Sequence, residues 1–259
     1  MLIFFSLSNN LIINIYFPLK IILYIDKYSI KTKKNIVLFV YSTNLPYICI
    51  KSNTMKKLIT LLLVLISLNG YTQSKEVIEY HEEIANNSEF SNSKGLYFYK
   101  KDVKIYLDGN MPDYLKEELD TIINELNDLI IPIEIYYVDN KEESNMELFL
   151  GGMDKFIVEY KKEHERSFLN SNWGLFWIYR EGTEITNTTV FIDTKRCTHP
   201  NDQKHLLREE VTQAFGLRND SYKYPESMFY SRWPPGRSTT EYSDLDKEII
   251  KYHYNILYN

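Results

Sequence analysis

Residues 206–220 constrain the fold of this chain more than any other stretch of its sequence. Apolar side chains recur there at the spacing of one helix face, at Leu207, Val211, Ala214 and Phe215. Glu209 and Gln213 lie one turn apart on a second face. Gly216 comes where a helix can end in a left-handed residue, and Leu217 can fold back onto the last turn. The stretch therefore predicts an amphipathic helix with polar side chains at a fixed spacing.

The polar side chains of this helix follow a spacing known from zinc peptidases. The pattern His-Glu-x-x-His-x-x-Gly-x-x-His places two zinc ligands and a general base on one helix, and its glycine turns the chain toward a third ligand. Here the same spacing reads Glu209-Glu210-x-x-Gln213-x-x-Gly216-x-x-Asn219. The base and the glycine are retained, whereas Glu209, Gln213 and Asn219 stand at the three histidine positions.

The first 54 residues have an unusual composition. They contain no Ala, Gly, Arg, Glu, Gln, His or Trp, although Ala and Gly are among the commonest residues of folded domains. We therefore predict that residues 1–54 are mis-annotated upstream translation. The alternative is a membrane anchor, since residues 2–25 are long enough to span a bilayer, although Asn and Lys residues interrupt them.

Met55 begins a segment with the features of a signal peptide. Lys56 and Lys57 form a short basic region, residues 58–68 are apolar, and residues 70–72 offer a small-x-small cleavage site. We predict translation from Met55, a signal peptide over residues 55–72 and a mature chain from about residue 73. The exported protein is then expected to be periplasmic or secreted.

The net charge of the predicted mature chain limits the classes of partner that it can bind. The first 72 residues hold eight of the 30 basic and one of the 35 acidic residues, so removing them changes the net charge from −5 to −12. This balance argues against nucleic acid and anionic membrane surfaces as partners. No stable membrane insertion of the mature form is expected.

Cys197 is the only cysteine after residue 72, so the mature chain cannot form an internal disulfide. No cysteine lies near the cleavage site, which argues against a lipid-modified N-terminus. Cys197 could be a free thiol, a metal ligand, a link between two chains, or a small buried hydrophobic residue.

The order of predicted elements indicates one α+β domain with a mixed sheet. Residues 73–93 form an acidic N-terminal segment with a helix over residues 74–87, and residues 94–259 form the domain. Strands are predicted over residues 96–99, 103–107, 133–138, 146–150, 173–179 and 188–192, the last two as a hairpin. Helices are predicted after Pro112, over residues 154–165, at the motif, and near the C-terminus.

Segments beyond the motif resemble a bacterial family known as domain of unknown function 2927. The resemblance rests on residues 189–193, Cys197, residues 224–230 and residues 243–252, together with residues 209–221. It covers about residue 94 to the C-terminus. It implies an exported protein and no particular activity.

A wider resemblance links the chain to the metzincin-type zinc peptidases. In that fold a sheet with an edge strand lies over the substrate cleft, followed by the site helix, a turn carrying Met and a C-terminal helix. Met228 stands at the position of the turn, and Ser243 and Asp246 fit a capping box that starts the last helix. The resemblance implies a zincin-like single domain. Its structural motif comprises Gly216, Leu217, Ser221, Pro225, Ser227, Met228 and Phe229.

The motif raises the question of a metal. If one is bound, Glu209, Gln213 and Asn219 are the ligands implied by the spacing, zinc is the metal, and Glu210 is the general base that takes a proton from bound water. Alternative ligands are His205, His199, Cys197 and Asp220. A structural interpretation is also open, because the same polar side chains can hydrogen-bond the turn after the helix.

Three functions therefore remain, and the sequence leaves open whether the chain is an enzyme. The first is a metal-dependent peptidase. The second is a non-catalytic module that binds a peptide or an envelope protein by adding it to a sheet edge. The third is a structural envelope component. Aromatic residues that could line a cleft are Trp173, Trp177, Tyr179, Tyr224, Phe229 and Trp233.

Overall fold

The computed structural model describes residues 2–7, 10–15, 20–26, 37–41, 73–89, 94–109, 111–231 and 238–258. The chain divides into two compact units, Met1–Thr72 and Gln73–Asn259. The predicted signal peptide and Trp233 lie outside the described residues. Over the described ranges, no helix combines the length and the apolar character needed to cross a membrane.

The first unit contains a four-stranded antiparallel sheet. Its strands pair in chain order and are β1 (Leu2–Leu7), β2 (Asn10–Ile15), β3 (Lys20–Asp26) and β4 (Val37–Tyr41). Strands β1 and β2, and β3 except for Asp26, fall within residues 2–25, the segment considered above as a membrane anchor. That residues 1–54 are upstream translation stays a prediction.

The second unit is built on a five-stranded mixed sheet in the order β6-β5-β7-β9-β8. The strands are β5 (Val103–Gly109), β6 (Ile135–Tyr137), β7 (Met146–Gly151), β8 (Gly174–Glu181) and β9 (Glu184–Asp193). Four of them run parallel, and β8 runs antiparallel to β9 at one end. The predicted hairpin is confirmed. The strand predicted over residues 96–99 is wrong, because only a single bridge forms there, between Phe98 and Glu184.

Six α-helices in the described residues of the second unit complete an α+β fold with this sheet. They are α1 (Lys75–Ala85), α2 (Asp113–Leu129), α3 (Met153–Tyr160), α4 (Arg166–Ser171), α5 (Pro200–Gln213) and α6 (Asp244–Tyr258). The single helix predicted over residues 154–165 is wrong, because left-handed Lys161, with φ of 55°, ends α3. Helix α1 lies within the predicted acidic segment, yet it packs in the same compact unit against α6.

Apolar side chains pack in two buried clusters. The larger includes Ile84 of α1, Leu119 of α2, Val211 of α5 and Ile249 of α6, together with residues of the sheet. A smaller cluster joins Phe149, Phe156, Ile157, Leu169, Leu175 and Phe191 around α3 and α4. Because α5 contributes to the larger cluster, the helix that carries the motif is held firmly against the sheet and α2.

Candidate active site and binding cleft

Helix α5 begins six residues before the stretch that predicted it. Pro200 occupies its first turn, where a missing backbone N–H costs nothing. The helix is fixed to α2 by Arg208, which is only 2% exposed and donates from Nη2 to Glu118 Oε1 over 2.7 Å. Arg208 also pairs with Glu125. This anchor fixes how the neighbouring Glu209 is presented.

Gly216 ends the helical segment in the conformation predicted from the sequence, with φ of 105°. A β-carbon at this position would collide with the carbonyl oxygen of Tyr97 and with the ring of His253. Leu217 is buried in the core behind it. Only glycine therefore fits where the chain turns from α5 toward Asp220.

Helix α5 and the start of β8 border a cleft made of two neighbouring cavities. Their volumes are about 260 and 230 Å³, and both are lined by Trp173, Leu206, Glu209 and Asp220. The larger cavity is also lined by Glu89, Ser171, Asn172, Gly174, Glu210 and Gln213. The smaller one is also lined by Asp202, His205, Tyr230, Ser231 and Ser238.

Four carboxyl groups meet in the larger cavity: Glu89, Glu209, Glu210 and Asp220. Burial, together with the neighbouring acidic groups, raises the pKa of Glu210 and of Asp220 well above their ordinary values. Glu89 is exposed as a residue, but loss of solvent around its carboxyl group and the charge of Glu209 raise its pKa to about 7. Among the described residues, neither cavity is lined by a Lys or Arg.

Hydrogen bonds satisfy some of these groups. Gln213 donates from Nε2 to Asp220 Oδ1 over 2.7 Å. His205 Nε2 lies 3.4 Å from Glu209 Oε2, and His205 Nδ1 donates to the carbonyl of Thr239 over 2.8 Å. Burial lowers the pKa of His205, but the Glu209 carboxylate and the Thr239 carbonyl outweigh it, so that the net shift is upward.

Glu210 differs from its neighbours. It is 7% exposed and lines the larger cavity, with its carboxyl group beside Gly174. No hydrogen bond from the described residues offsets the burial and the acidic neighbours that raise its pKa. Glu210 thus presents an acceptor that no described donor fills.

The remaining ligand candidates lie elsewhere. The amide of Asn219 donates to the carbonyl oxygens of Glu83, at 3.2 Å, and Asp220, at 2.7 Å. His199 is exposed at the N-terminal end of α5. Cys197 is fully buried, and burial raises the pKa of its thiol to about 11. None of these three side chains lines the cleft.

The positions of these candidate ligands decide whether they can hold a zinc ion. In the described parts of the chain, no three His, Cys, Asp or Glu side chains are grouped to hold a metal ion. Zinc prefers imidazole and thiolate, and structural zinc sites use four ligands. Asn219 is turned toward α1, and the Gln213 amide is engaged by Asp220. The donor set as arranged does not fit zinc.

The turn that carries Met228 is fixed by the last helix. Asp246 accepts hydrogen bonds from Ser227 Oγ at 2.6 Å, and from the backbone N–H groups of Met228 and Ser243 at 2.9 Å each. Ser243 Oγ accepts from Asp246 N at 3.1 Å, which completes the predicted capping box. Tyr80 of α1 bonds Ser227 from the other side, over 2.7 Å.

Ser221 closes the loop that follows the motif. Its backbone N–H donates to Phe229 over 2.8 Å, and its hydroxyl donates to Glu83 of α1 over 2.7 Å. Phe229 is buried in the core, whereas Pro225 is exposed at the tip of the turn. The predicted structural motif is therefore a hydrogen-bonded loop between α1, α5 and α6.

Two features of the site were not predicted from the sequence. Glu89 comes from a polar loop without a recognisable pattern. Arg196 fixes the rim of the cleft by pairing with Asp193 at 2.6 Å and donating to the carbonyl oxygens of Leu169 and Asn172. A buried strand that ends in Asp, followed three residues later by Arg, was the signal available in the sequence.

The structure places the aromatic candidates for the cleft lining in different surroundings. Trp173 is 46% exposed and lines both cavities. Trp177 stacks on Phe156, with ring centroids 5.4 Å apart, and Tyr224 packs edge-on against Tyr80. Of the candidates that the structure describes, only Trp173 lines the cleft.

Comparison with known families adds the identity of the domain. A family model described as protein of unknown function (DUF2927) matches residues 74–256. The chain belongs to this family. The match begins at the N-cap of α1 and ends within α6, so this family domain includes the whole second sheet and the cleft. No curated protein matches the chain.

Proposed function

We propose that the second unit of this DUF2927 protein is a zincin-like, non-catalytic domain that binds an extended peptide segment in the cleft between α5 and β8. The position of β8 carries this proposal. Within the described sheet β8 pairs only with β9, and its first residue, Gly174, lines the cleft. A free strand edge beside a cleft can bind an extended peptide through main-chain hydrogen bonds.

The backbone N–H and C=O groups of alternate β8 residues point away from β9, as the addition of a peptide strand requires. The carbonyl of Trp173 accepts from the N–H of Asp193 over 2.7 Å, so this residue faces β9. Because hydrogen-bonding directions alternate along an antiparallel pair, every second residue from Gly174 directs its N–H and C=O away from β9. These groups are available to a peptide strand.

The zincin-like part of the proposal is supported by the order of elements. The antiparallel outer strand β8 borders the cleft, α5 carries the motif, the Met228 turn follows, and α6 closes the domain. Asp246 joins the turn to α6. This order agrees with the metzincin-type arrangement, whereas the donor set does not fit zinc.

A second candidate is a hydrolase with Glu210 as the general base. The observation in its favour is the burial of Glu210 without a described hydrogen-bond donor, which raises its pKa. A buried carboxyl group with a raised pKa is suited to act as a general base or acid. We route no step through a metal, because the arranged side chains do not fit one.

Export is part of the proposal as well. The compact second unit begins at Gln73, and Ser74 accepts a hydrogen bond from Val77 N as the N-cap of α1. A cleavage before Gln73 would release this unit intact into the periplasm or the medium. Intact mass of the protein recovered from those fractions tests the site, and a cytoplasmic chain that retains residues 1–72 would exclude export.

The binding proposal is tested with random peptides displayed on phage and the protein purified from cells that express the full chain. We expect enriched peptides whose binding weakens after N-methylation of alternate residues, because this removes amide donors and leaves side chains in place. Trp173→Ala should weaken the same peptides. Absence of enrichment on folded protein, or indifference to N-methylation in both registers, would overturn strand addition.

Catalysis is tested on the same material. Peptide mixtures are incubated with the wild type and with Glu210→Gln, products are read by mass spectrometry, and bound metal is measured by elemental mass spectrometry. We expect no cleavage that depends on Glu210. Turnover lost in Glu210→Gln would instead establish the hydrolase and remove the non-catalytic assignment.

A further inference from the structure

The chemistry of the cleft indicates what kind of side chain a bound segment would place there. Glu89, Glu209, Glu210 and Asp220 line one cavity of about 260 Å³. The described lining of this cavity contains these four carboxyl groups and no Lys or Arg, so negative charges on them repel one another at close range. A positive charge entering the cavity would remove this repulsion.

The unfilled acceptor at Glu210 is an independent observation that points to a ligand. Its side chain is more than nine-tenths buried, faces the cavity and accepts no hydrogen bond from the described residues. Gln213 already donates to Asp220, and His205 lies against Glu209. A ligand that donates hydrogen bonds would fill this acceptor from the cavity.

The buried arginines of the domain are already engaged elsewhere. Arg208 precedes Glu209 on α5 but pairs with Glu118 and Glu125 of α2. Arg218 donates to the carbonyl oxygens of Gly95 and Ala85 and lies over the ring of Tyr97. Neither arginine therefore supplies a positive charge to the cleft.

We propose that the cleft selects a segment that carries lysine or arginine, whose ammonium or guanidinium group enters the cluster of Glu89, Glu209, Glu210 and Asp220. The inference rests on the proposed peptide-binding function and names its ligand class. Lysine and arginine offer only hydrogen-bond donors and a positive charge, which is what four acceptors require. Trp173, which is exposed and lines both cavities, is the aromatic residue of the cleft that could contact such a cation.

The test uses short random peptides that share one fixed central residue. Separate libraries fix lysine, arginine, norleucine, citrulline or glutamate, so that lysine and norleucine, or arginine and citrulline, differ mainly in charge. Retention on the immobilised protein is measured at pH 7. We expect the lysine or arginine library to be retained about tenfold better than its neutral counterpart.

Protein variants assign the preference to the cluster. Glu210→Gln and Asp220→Asn should each reduce the charge preference severalfold, about threefold or more. Glu142→Gln is the matched control, because it makes the same change in net charge at an exposed residue. Thermal unfolding confirms that each variant is folded.

The outcomes separate this inference from the function on which it rests. Equal retention of charged and neutral libraries would overturn the charge selection and leave peptide binding standing. Retention of none would overturn both. A preference that survives in Glu210→Gln and Asp220→Asn, or that falls equally in Glu142→Gln, would reject the cluster as its origin.

Discussion

The side chain of Glu210 occupies the space that a β-carbon at Gly174 would need. Such a carbon would lie 2.5 Å from Glu210 Oε1 and 2.8 Å from Cγ. Gly174 has no positive φ, so its backbone would accept alanine. The glycine at the start of β8 is therefore required by packing against α5.

The first prediction is that Gly174→Ala destabilises the protein by about 1–3 kcal/mol, because the added methyl group overpacks the contact with Glu210. Denaturant unfolding measures the change. Gly152→Ala is the control, since its β-carbon would meet only the flexible Lys195 side chain. In the double variant Gly174→Ala/Glu210→Ala most of the cost should disappear. An undiminished cost there would place the clash elsewhere.

Arg208→Ala should be among the most destabilising single changes in α5. Removal of the guanidinium leaves buried Glu118 without its closest cation, and breaking such pairs costs about 3–5 kcal/mol. Lys204 also contacts Glu118, at 3.4 Å, but is partly exposed. Lys204→Ala should therefore cost less than about 1 kcal/mol. Similar losses in the two variants, by calorimetry, would contradict the assigned role of Arg208.

Asp246→Ala should loosen the Met228 turn. Three donors, from Ser227, Met228 and Ser243, would lose their acceptor, and we expect a loss of about 2–4 kcal/mol. Hydrogen exchange should rise at the Met228 and Ser243 amides. Asp244→Ala, at an exposed position in the first turn of α6, should cost only about 0.3–1 kcal/mol. Unchanged exchange at Met228 would refute the proposed role of Asp246.

Glu210 should make the folded state less stable as the pH rises. Burial and its acidic neighbours raise its folded pKa well above the ordinary value of 4.5, so the folded state binds a proton that the unfolded state has released. Stability is therefore lost as the pH rises above about 4.5. Glu210→Gln should flatten this dependence and melt higher than the wild type at pH 8, whereas Glu142→Gln should not. A lower melting temperature for Glu210→Gln would contradict this.

The titration of His81 should have the opposite effect on stability from that of Glu210, with stability lost as the pH falls. Its Nε2 lies 2.9 Å from Nδ1 of buried His253, whose Nε2 donates to Tyr97. Burial lowers the pKa of His81 from 6.5 to about 4, so below pH 6.5 the unfolded state binds a proton that the folded state does not.

Stability is then lost as the pH falls from about 6.5 to about 4. His81→Gln keeps an amide donor for His253 and does not titrate. We expect its unfolding free energy to vary less over this range, as read from urea titrations at several pH values. If the loss of stability between pH 6.5 and pH 4 is the same in the variant as in the wild type, groups other than His81 control it.

The local patterns of the sequence predicted those elements that depend on neighbouring residues. The apolar stripe identified α5, and Ser243 with Asp246 identified the start of α6. The first two turns of α5 were missed because residues 200–205 carry no apolar stripe. The helix over residues 154–165 was overextended, since nothing in the sequence requires Lys161 to adopt a left-handed conformation.

Only part of the cleft could be predicted from the sequence. Helical spacing indicated that Glu209 and Gln213 share a face, and the structure places both at the larger cavity. The contribution of Glu89 and Gly174 could not be predicted, because they approach α5 through tertiary packing from distant parts of the chain. Asn219 has the right spacing but a different hydrogen-bond partner on α1. Spacing fixes a position along the chain and leaves the direction of the side chain open.

The burial of Cys197 also has a practical consequence. Its thiol is shielded from solvent and holds its proton up to a pKa of about 11, while the other cysteine, Cys49, lies in the unit that precedes Gln73. A cysteine introduced at exposed Ser171, which lines the larger cavity, would thus be the reactive thiol of the second unit. A fluorophore attached there would report occupancy of the cleft in real time, with no need to remove the native cysteine.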